Sequence, residues 1–275
     1  IQDCMGKSMR WNNLCRRFSM AYTKEILTLA VEIGDEMLRN GAEIYRVEDT
    51  VIHILKAYQI EEFDVYVLSN GIFASANENK EDACSMIRHI PLGSVHLDKI
   101  SALNQLTRDI CTQDCALTDA WVRLEECRNL KPPARWLQVL CCGIGSSGFA
   151  YLFGGELLDL FFSFIIGILL QLVMFSQSNQ KMARFSKSLF YSMLVTTLSL
   201  IPFALGAPVM QDKIVIGAIM PLVPGIAFTT SIRDFYNGDY LSGTIHLIDA
   251  LMTALCIAAG VGIVISIYQA VGGKL

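Results

Sequence analysis

The sequence predicts a membrane protein in which an N-terminal cytoplasmic α+β domain is followed by a bundle of five transmembrane α-helices. The chain of 275 residues is 53% hydrophobic and only 17% charged, which is too apolar for a soluble globule. Residues 136–275 carry six basic and six acidic residues, whereas 1–135 carry 16 basic and 20 acidic ones. Five apolar runs, each near or above the roughly 18 residues that cross a bilayer core, fall in the weakly charged part.

The predicted boundaries divide the chain into three segments. Residues 1–20 are polar, begin without Met and show no signal peptide, so we treat them as an uncertain leader segment. Residues 21–133 form the cytoplasmic α+β domain, which ends in the linker Lys131-Pro132-Pro133. Residues 134–275 form the five-helix transmembrane domain.

The elements of the first domain follow from its apolar periodicity. Apolar residues at helical spacing predict helices at 24–39 and 43–58, which Asn40-Gly41 separates as a helix stop. The period then changes to two, which predicts a hairpin of strands closed by a turn at Ser69-Asn70-Gly71. The predicted strands are 63–68, 72–76 and, after a polar loop at 77–82, about 85–90. Helices at 96–111 and 117–130 complete the order α-α-β-β-β-α-α.

The five predicted spans are 136–153, 157–177, 189–206, 214–232 and 242–268. Basic residues concentrate before the first span and in the second and fourth loops of this domain. They are Arg123, Arg128, Lys131, Arg135, Lys181, Arg184, Lys187 and Arg233. By the positive-inside rule the first domain is cytoplasmic and the C-terminus lies outside, with Lys274 as a weak exception.

The fourth span carries the candidate substrate pathway. Proline removes a backbone donor and clashes with the preceding turn, so Pro221 and Pro224 predict a kinked or broken helix. A break in lipid is tolerated where it is buried in protein or lines a water-filled cavity, and transporters place substrate sites at such breaks. The candidate pathway residues are Pro221, Pro224, Gly225, Thr229, Thr230, Arg233 and Asp234. A proline-kinked packing helix without a ligand is the alternative.

Two further groups of residues stand out in the transmembrane domain. Asp159, His246 and Asp249 are ionisable residues in apolar runs, where such groups face a cavity or a partner. They could take part in a proton-coupled step, although an ordinary interface pair fits His246 and Asp249 equally well. The first span contains Gly143, Gly145, Ser146 and Ser147. These small residues allow close helix packing or, alternatively, the approach of a ligand to the backbone.

The sequence argues against several other classes of function. It contains no G-x-S-x-G, no H-E-x-x-H and no phosphate-binding glycine loop, so we do not expect an enzyme. Its acidic balance argues against nucleic acid as a partner. The nine scattered cysteines suggest free thiols in a reducing compartment. A zinc site could use Cys84, His89, His96, Cys111 and Cys115, but their spacing matches no known motif, so we expect neither metal nor cofactor.

Several segments carry a family resemblance. Residues 40–50 (NGAEIYRVEDT) and 71–75 (GIFAS) resemble the N-terminal signature of the threonine/serine exporter family. Residues 221–225 (PLVPG), together with IRD at 232–234, NGD at 237–239 and LSG at 241–243, resemble the proline-break motif of that family. The resemblance extends over about 24–268.

This resemblance implies an exporter in the plasma (inner) membrane for a small carboxylate-bearing metabolite, either threonine and serine or succinate. Full-length members carry about ten spans, whereas five are predicted here, as in the split, two-component branch of the family. The resemblance therefore implies a second small membrane subunit of the same family or a homo-oligomer, besides the substrate and the lipid bilayer. The alternative from another class is a membrane-anchored sensor or scaffold that acts through its cytoplasmic domain.

Overall fold

The computed structural model describes residues 2–77, 83–91, 93, 95–112, 115–177 and 183–272, with side chains described from residue 21 onward. The predicted loop at 78–82 and the basic residues Lys181 and Lys274 lie outside the described residues. The chain divides into two compact units, Ile1–Pro132 and Pro133–Leu275. We call them the soluble unit and the membrane unit.

Two helices open the soluble unit. Helix α1 (Gln2–Arg39) includes the predicted helix at 24–39. It also includes residues 2–20 of the uncertain leader segment. It ends where Gly41 adopts a φ of +82°, a conformation that glycine takes without strain. Helix α2 (Ile44–Ala57) buries Ile44, Val47, Val51, Ile54 and Leu55, the apolar stripe expected from its periodicity.

A three-stranded antiparallel sheet of order β1-β2-β3 follows. Its strands are β1 (Phe63–Leu68), β2 (Gly71–Ala76) and β3 (Cys84–His89). Leu68 pairs with Gly71, so Ser69 and Asn70 form the predicted tight turn between the first two strands. Tyr66, Phe73 and Ile87 lie in register on the exposed face, whereas Val67 and Ile72 face the core.

Helices α3 (Leu97–Cys111) and α4 (Leu117–Arg128) complete the soluble unit. The predicted order of elements is therefore confirmed. Buried side chains from all four helices and the sheet form one apolar core, which includes Ile33, Ile54, Ile72, Leu106 and Leu124.

Ion pairs join the surface elements of the same unit. Glu32 of α1 accepts hydrogen bonds from Arg88 of β3, at 2.5 Å, and from Arg128 of α4. Glu36, one turn further along α1, lies 3.6 Å from Lys99 of α3. Glu32 and Glu36 therefore link one face of α1 to β3, α3 and α4.

The membrane unit is all-helical over its described residues. Its helices are α5 (Arg135–Leu152), α6 (Leu157–Ser176), α7 (Arg184–Ala204), α8 (Gln211–Ile219), a 3₁₀ turn (Met220–Leu222), α9 (Gly225–Tyr236) and α10 (Tyr240–Ala270). Helix α8 packs against α5, α6 and α7, whereas α10 packs against α7 and α9.

The described chain contains three helices that are long and apolar enough to cross a membrane, namely α6, α7 and α10. The bent pair formed by α8 with its 3₁₀ turn and α9 would be a fourth span. Helix α5 is not among them, although it has 18 residues, because glycines, serines and Arg135 dilute its apolar character. The first predicted span, 136–153, therefore stays a prediction.

Small residues set the distances between these helices. A Cβ atom on Gly217 of α8 would lie 2.6 Å from the carbonyl oxygen of Ser146 on α5. A Cβ atom on Gly260 of α10 would lie 2.8 Å from the carbonyl oxygen of Leu189 on α7. Backbones in this unit approach so closely that any larger side chain at these points would separate the helices.

Candidate functional site

The fourth apolar run is broken where its prolines predict a break. Pro221 lies in the 3₁₀ turn, and Val223 follows in extended conformation with φ −64° and ψ 129°. Helix α9 then begins at Gly225, with its axis bent by 59° from that of the preceding segment. The two arms of this span together have the length of one membrane crossing.

Local hydrogen bonds satisfy part of the backbone at the break. The Met220 amide donates to the Gly217 carbonyl, and the Val223 amide donates to the Met220 carbonyl at 3.1 Å. Three-residue bonds thus replace the four-residue bonds that the prolines interrupt. The break is therefore a defined turn between two short helices.

The two candidate hydroxyl residues lie one turn beyond the break. The Thr229 hydroxyl donates to the carbonyls of Gly225 and Ile226, both at 3.0 Å, so its proton is used within α9. Its oxygen can still accept a hydrogen bond, since the residue is exposed. Thr230 is partly buried, and Arg233 is exposed in the last turn of the helix.

Asp234 is buried against α10. Its Oδ2 lies 2.8 Å from Nδ1 of His246, and the residue is only 2% exposed. The sequence grouped His246 with Asp249, but the structure places the imidazole on Asp234 instead. This pairing could have been predicted from the short connection at 237–239, because such a link makes the two helices that it joins antiparallel neighbours.

Two further contacts join α9 to α10. The Ser231 hydroxyl donates to the carbonyl of Gly243 at 2.9 Å, and a Cβ atom on Gly243 would lie 2.9 Å from the Phe235 ring. In the connecting turn, the Asp239 amide donates to the Asp234 carbonyl at 2.9 Å. Burial, and then the charge of Asp234, raise the pKa of the Asp239 carboxyl above its ordinary value.

The other two ionisable candidates have different partners. Asp249 binds the guanidinium of Arg184, with Nη1 at 3.1 Å from Oδ1 and 2.9 Å from Oδ2, which joins α10 to α7. Asp159 is 1% exposed and accepts the backbone amides of Glu156 at 2.9 Å and Met210 at 2.8 Å. Asp159 thus caps α6 and fixes the segment that leads into α8.

The small residues of α5 take two kinds of position. Gly143 and Ser146 are buried, and a Cβ atom on Gly143 would lie 3.0 Å from the Phe164 ring of α6. The Ser146 hydroxyl has no hydrogen-bond partner among the described residues. Gly145 and Ser147 are partly exposed, and the space beside Gly145 is open. Gly143 and Ser146 therefore lie where α5 packs against its neighbouring helices.

The five Cys and His residues considered as zinc ligands do not form a cluster. Within the described ranges, no group of three or more His, Cys, Asp or Glu residues could hold a metal ion. Cys111 is exposed and Cys115 is buried, although the two lie four positions apart.

Comparison with known proteins matches residues 28–268 to the family described as "Putative threonine/serine exporter". The chain belongs to the threonine/serine exporter family. It is similar to a protein of Mycobacterium tuberculosis named "Probable threonine/serine exporter", with 24% identity over 247 residues. That match covers 87% of this chain but only 46% of the relative, so the chain spans about half the length of the curated relative it matches. No solved structure matches the chain.

The family match includes the broken span, so the chemistry of this region can be considered in the setting of an exporter. The break at 220–224 leads directly into one helical hairpin, 225–270, which contains the exposed Thr229 and Arg233 and the buried Asp234–His246 contact. A guanidinium can bind a carboxylate through two hydrogen bonds, and threonine hydroxyls can orient it. The hairpin therefore presents chemistry suited to a small carboxylate-bearing molecule.

Proposed function

We propose that this chain is a subunit of a secondary exporter in the plasma (inner) membrane, and that its substrate is a small carboxylate-bearing metabolite. The observation that carries the proposal is the 59° break within an apolar segment, followed one turn later by the exposed Thr229. Irregular backbone at membrane depth is stable only beside protein or water, and transporters use it to bind substrate. Threonine, serine and succinate are the candidate substrates.

The substrate pathway follows α9 from the break to its last turn. Pro221, Pro224 and Gly225 form the opening in the helix, and Thr229 and Thr230 offer hydroxyl groups one turn further. Arg233 attracts the carboxylate at the cytoplasmic mouth, because its charge lies near one end of the span. Gradient-driven transport is the default coupling, since the sequence contains no phosphate-binding loop.

The proposed topology has five spans, with α5 as the least apolar of them. Arg135 begins α5, Arg184 begins α7 and Arg233 lies in the last turn of α9. If successive spans alternate in direction, these bases meet at one end of the unit, which the positive-inside rule assigns to the cytoplasm. The soluble unit is then cytoplasmic and the C-terminus lies outside.

A second half completes the proposed transporter. Transporters of this kind combine two repeats around a central site, and the chain accounts for 46% of its curated relative. The exposed apolar side chains of α9, including Ile226, Phe228 and Ile232, are available for lipid or a partner. We propose either a second copy of the chain or a separate membrane subunit of the same family.

Substitution of Arg233 tests the pathway. In cells that depend on this chain for export, Arg233→Ala should lower efflux by about tenfold or more, because a charge-assisted bidentate contact is lost. Arg233→Lys, which keeps the charge but not the planar fork, should give an intermediate rate. Equal amounts of each variant in the membrane fraction are the control. Efflux at the wild-type rate by Arg233→Ala would remove this residue from the pathway.

One observation supports the alternative of a sensor or scaffold. The soluble unit closes its own apolar core from α1 to α4, as an independently acting domain would. Replacement of residues 134–275 by unrelated membrane helices distinguishes the two functions. The exporter proposal predicts complete loss of function, whereas a sensor would keep its activity.

A further inference from the structure

Three carboxylates of the membrane unit have distinct kinds of partner. Asp159 accepts backbone amides, which carry no titratable charge. Asp249 faces the guanidinium of Arg184, which stays protonated under all physiological conditions. Asp234 faces an imidazole, and histidine is the side chain that most readily changes its charge between about pH 5 and pH 8. The Asp234–His246 pair is therefore the one of these three contacts whose net charge can change in the cell.

The pair also connects helix α9 to helix α10. Helix α9 is the second arm of the broken span, and its described bonds to α10 are concentrated in its last two turns, at Ser231 and Asp234. Thr229, two residues before Ser231, donates its hydroxyl proton to carbonyls of α9 itself. The pair thus connects α10 to the arm that carries the proposed pathway.

Other charged and titratable groups lie on the two helices that carry the pair and on α7, which packs against α10. They are Arg233 and Tyr236 on α9, Asp239 in the turn, Tyr240 and Asp249 on α10, and Arg184, Lys187 and Tyr191 on α7. Arg184 and Asp249 neutralise each other. Asp239 is an acidic neighbour, since its amide is bonded to the Asp234 carbonyl.

We propose that the Asp234–His246 pair is a proton-binding site that latches α9 to α10, and that protonation of the pair controls the movement of α9 during export. In this arrangement Nδ1–H of His246 donates to Asp234 in both charge states, so the proton is gained or lost at Nε2. The protonated imidazole forms an ion pair with the buried carboxylate and holds α9 firmly. The neutral imidazole keeps the hydrogen bond but loses the charge attraction, which releases the arm. The link to export rests on the function proposed above.

Nuclear magnetic resonance of the full chain with labelled histidine tests the proton site independently of transport. The signal that disappears in His246→Asn identifies the imidazole. Asp234→Asn should shift the midpoint of its titration, because the charge next to the ring is lost. The matched control is Asp49→Asn, since Asp49 pairs with His53 at 3.2 Å on an exposed helix surface. This substitution should move the His53 signal much less, because water screens the exposed pair. An unchanged midpoint in Asp234→Asn would overturn the proposed proton site.

The pH dependence of efflux tests the control of export. His246→Asn can still donate a hydrogen bond to Asp234 but cannot titrate. Wild-type efflux should differ about fivefold or more between about pH 6 and about pH 8 on the cytoplasmic side, whereas His246→Asn should show a flat profile. His53→Asn should keep the wild-type profile. A steep profile in His246→Asn would overturn the control of export by this pair. If wild type gives no efflux of any candidate substrate, the proposed function fails, and the titration experiment still decides the proton site.

Discussion

The two units of the chain are stabilised in different ways. The soluble unit buries large aliphatic side chains, such as Ile26, Leu29 and Met37, in one continuous core. The membrane unit has a smaller buried apolar cluster around Ile166 and Val195 and buries many hydroxyl-bearing and acidic residues. Water drives apolar burial in the first case, whereas lipid removes that driving force in the second. Close packing and hydrogen bonds therefore supply most of the stabilisation of the membrane unit.

Charged residues show the same difference. In the soluble unit, Glu32 and Glu36 are partly buried, with side chains 18% and 13% exposed, and each binds two bases. In the membrane unit, Asp159 and Asp234 are almost completely buried, each with specific partners. Loss of a partner leaves a polar group that water cannot reach. Substitutions of similar chemistry should thus have unequal effects in the two units.

The largest expected effect is truncation of the soluble core. Ile33→Ala should destabilise the soluble unit by about 2–5 kcal/mol, since the fully buried side chain leaves a cavity. Ile87→Ala removes the same atoms from a side chain that is 69% exposed and should have little effect. Urea unfolding of the full chain in nanodiscs, followed by pulse proteolysis, measures both. Equal destabilisation by the two variants would contradict the core assignment.

In the membrane unit the comparable substitution adds a single methyl group. Gly260→Ala should lower stability by about 1–3 kcal/mol, because the new Cβ atom meets the α7 backbone. Gly262→Ala places the same atom on the same helix, where nothing lies within 4 Å, and should be neutral or slightly stabilising. Thermal unfolding in detergent compares them. If Gly260→Ala is as stable as its control, α7 and α10 do not pack as described.

The cap of α6 gives an intermediate effect. Asp159→Asn keeps the shape but offers one oxygen to two backbone amides, which should cost about 1–3 kcal/mol. Asp212→Asn, on an exposed side chain at the start of α8, is the matched control and should change stability little. Both variants can be followed by hydrogen exchange at the Met210 amide. Unchanged exchange in Asp159→Asn would show that the carboxylate does not hold this amide.

The smallest expected effect is a pH dependence in the soluble unit. Hydrogen bonds from Arg123, and then Gln105, lower the pKa of the partly exposed Asp109 carboxyl. The folded state therefore binds this proton less readily than the unfolded state does. The stabilisation is present above the ordinary carboxyl pKa and is lost as the pH falls through the lowered value. Asp109→Asn should unfold with a weaker acid dependence, and an unchanged dependence would exclude this pair as a source.

The sequence predicted the local features well. Alternating residues placed β1, β2 and the turn at Ser69-Asn70 within one residue, because register depends on neighbours in the chain. The prolines placed the break for the same reason. The pairing of Asp234 with His246, and of Arg184 with Asp249, depends instead on how separate helices pack. Periodicity places a residue on one face of a helix, but it does not say which helix that face meets.

The most direct test of the account is export from the organism that carries this gene. Cells that lack the gene should retain labelled threonine, serine or succinate after loading, and the wild-type chain should restore efflux of at least one of them. Arg233→Ala, present in the membrane at the same level, should not restore it. This measurement leaves any second subunit in place, so it does not depend on how the transporter is completed. Equal efflux of all three metabolites with and without the gene would contradict the proposed export function.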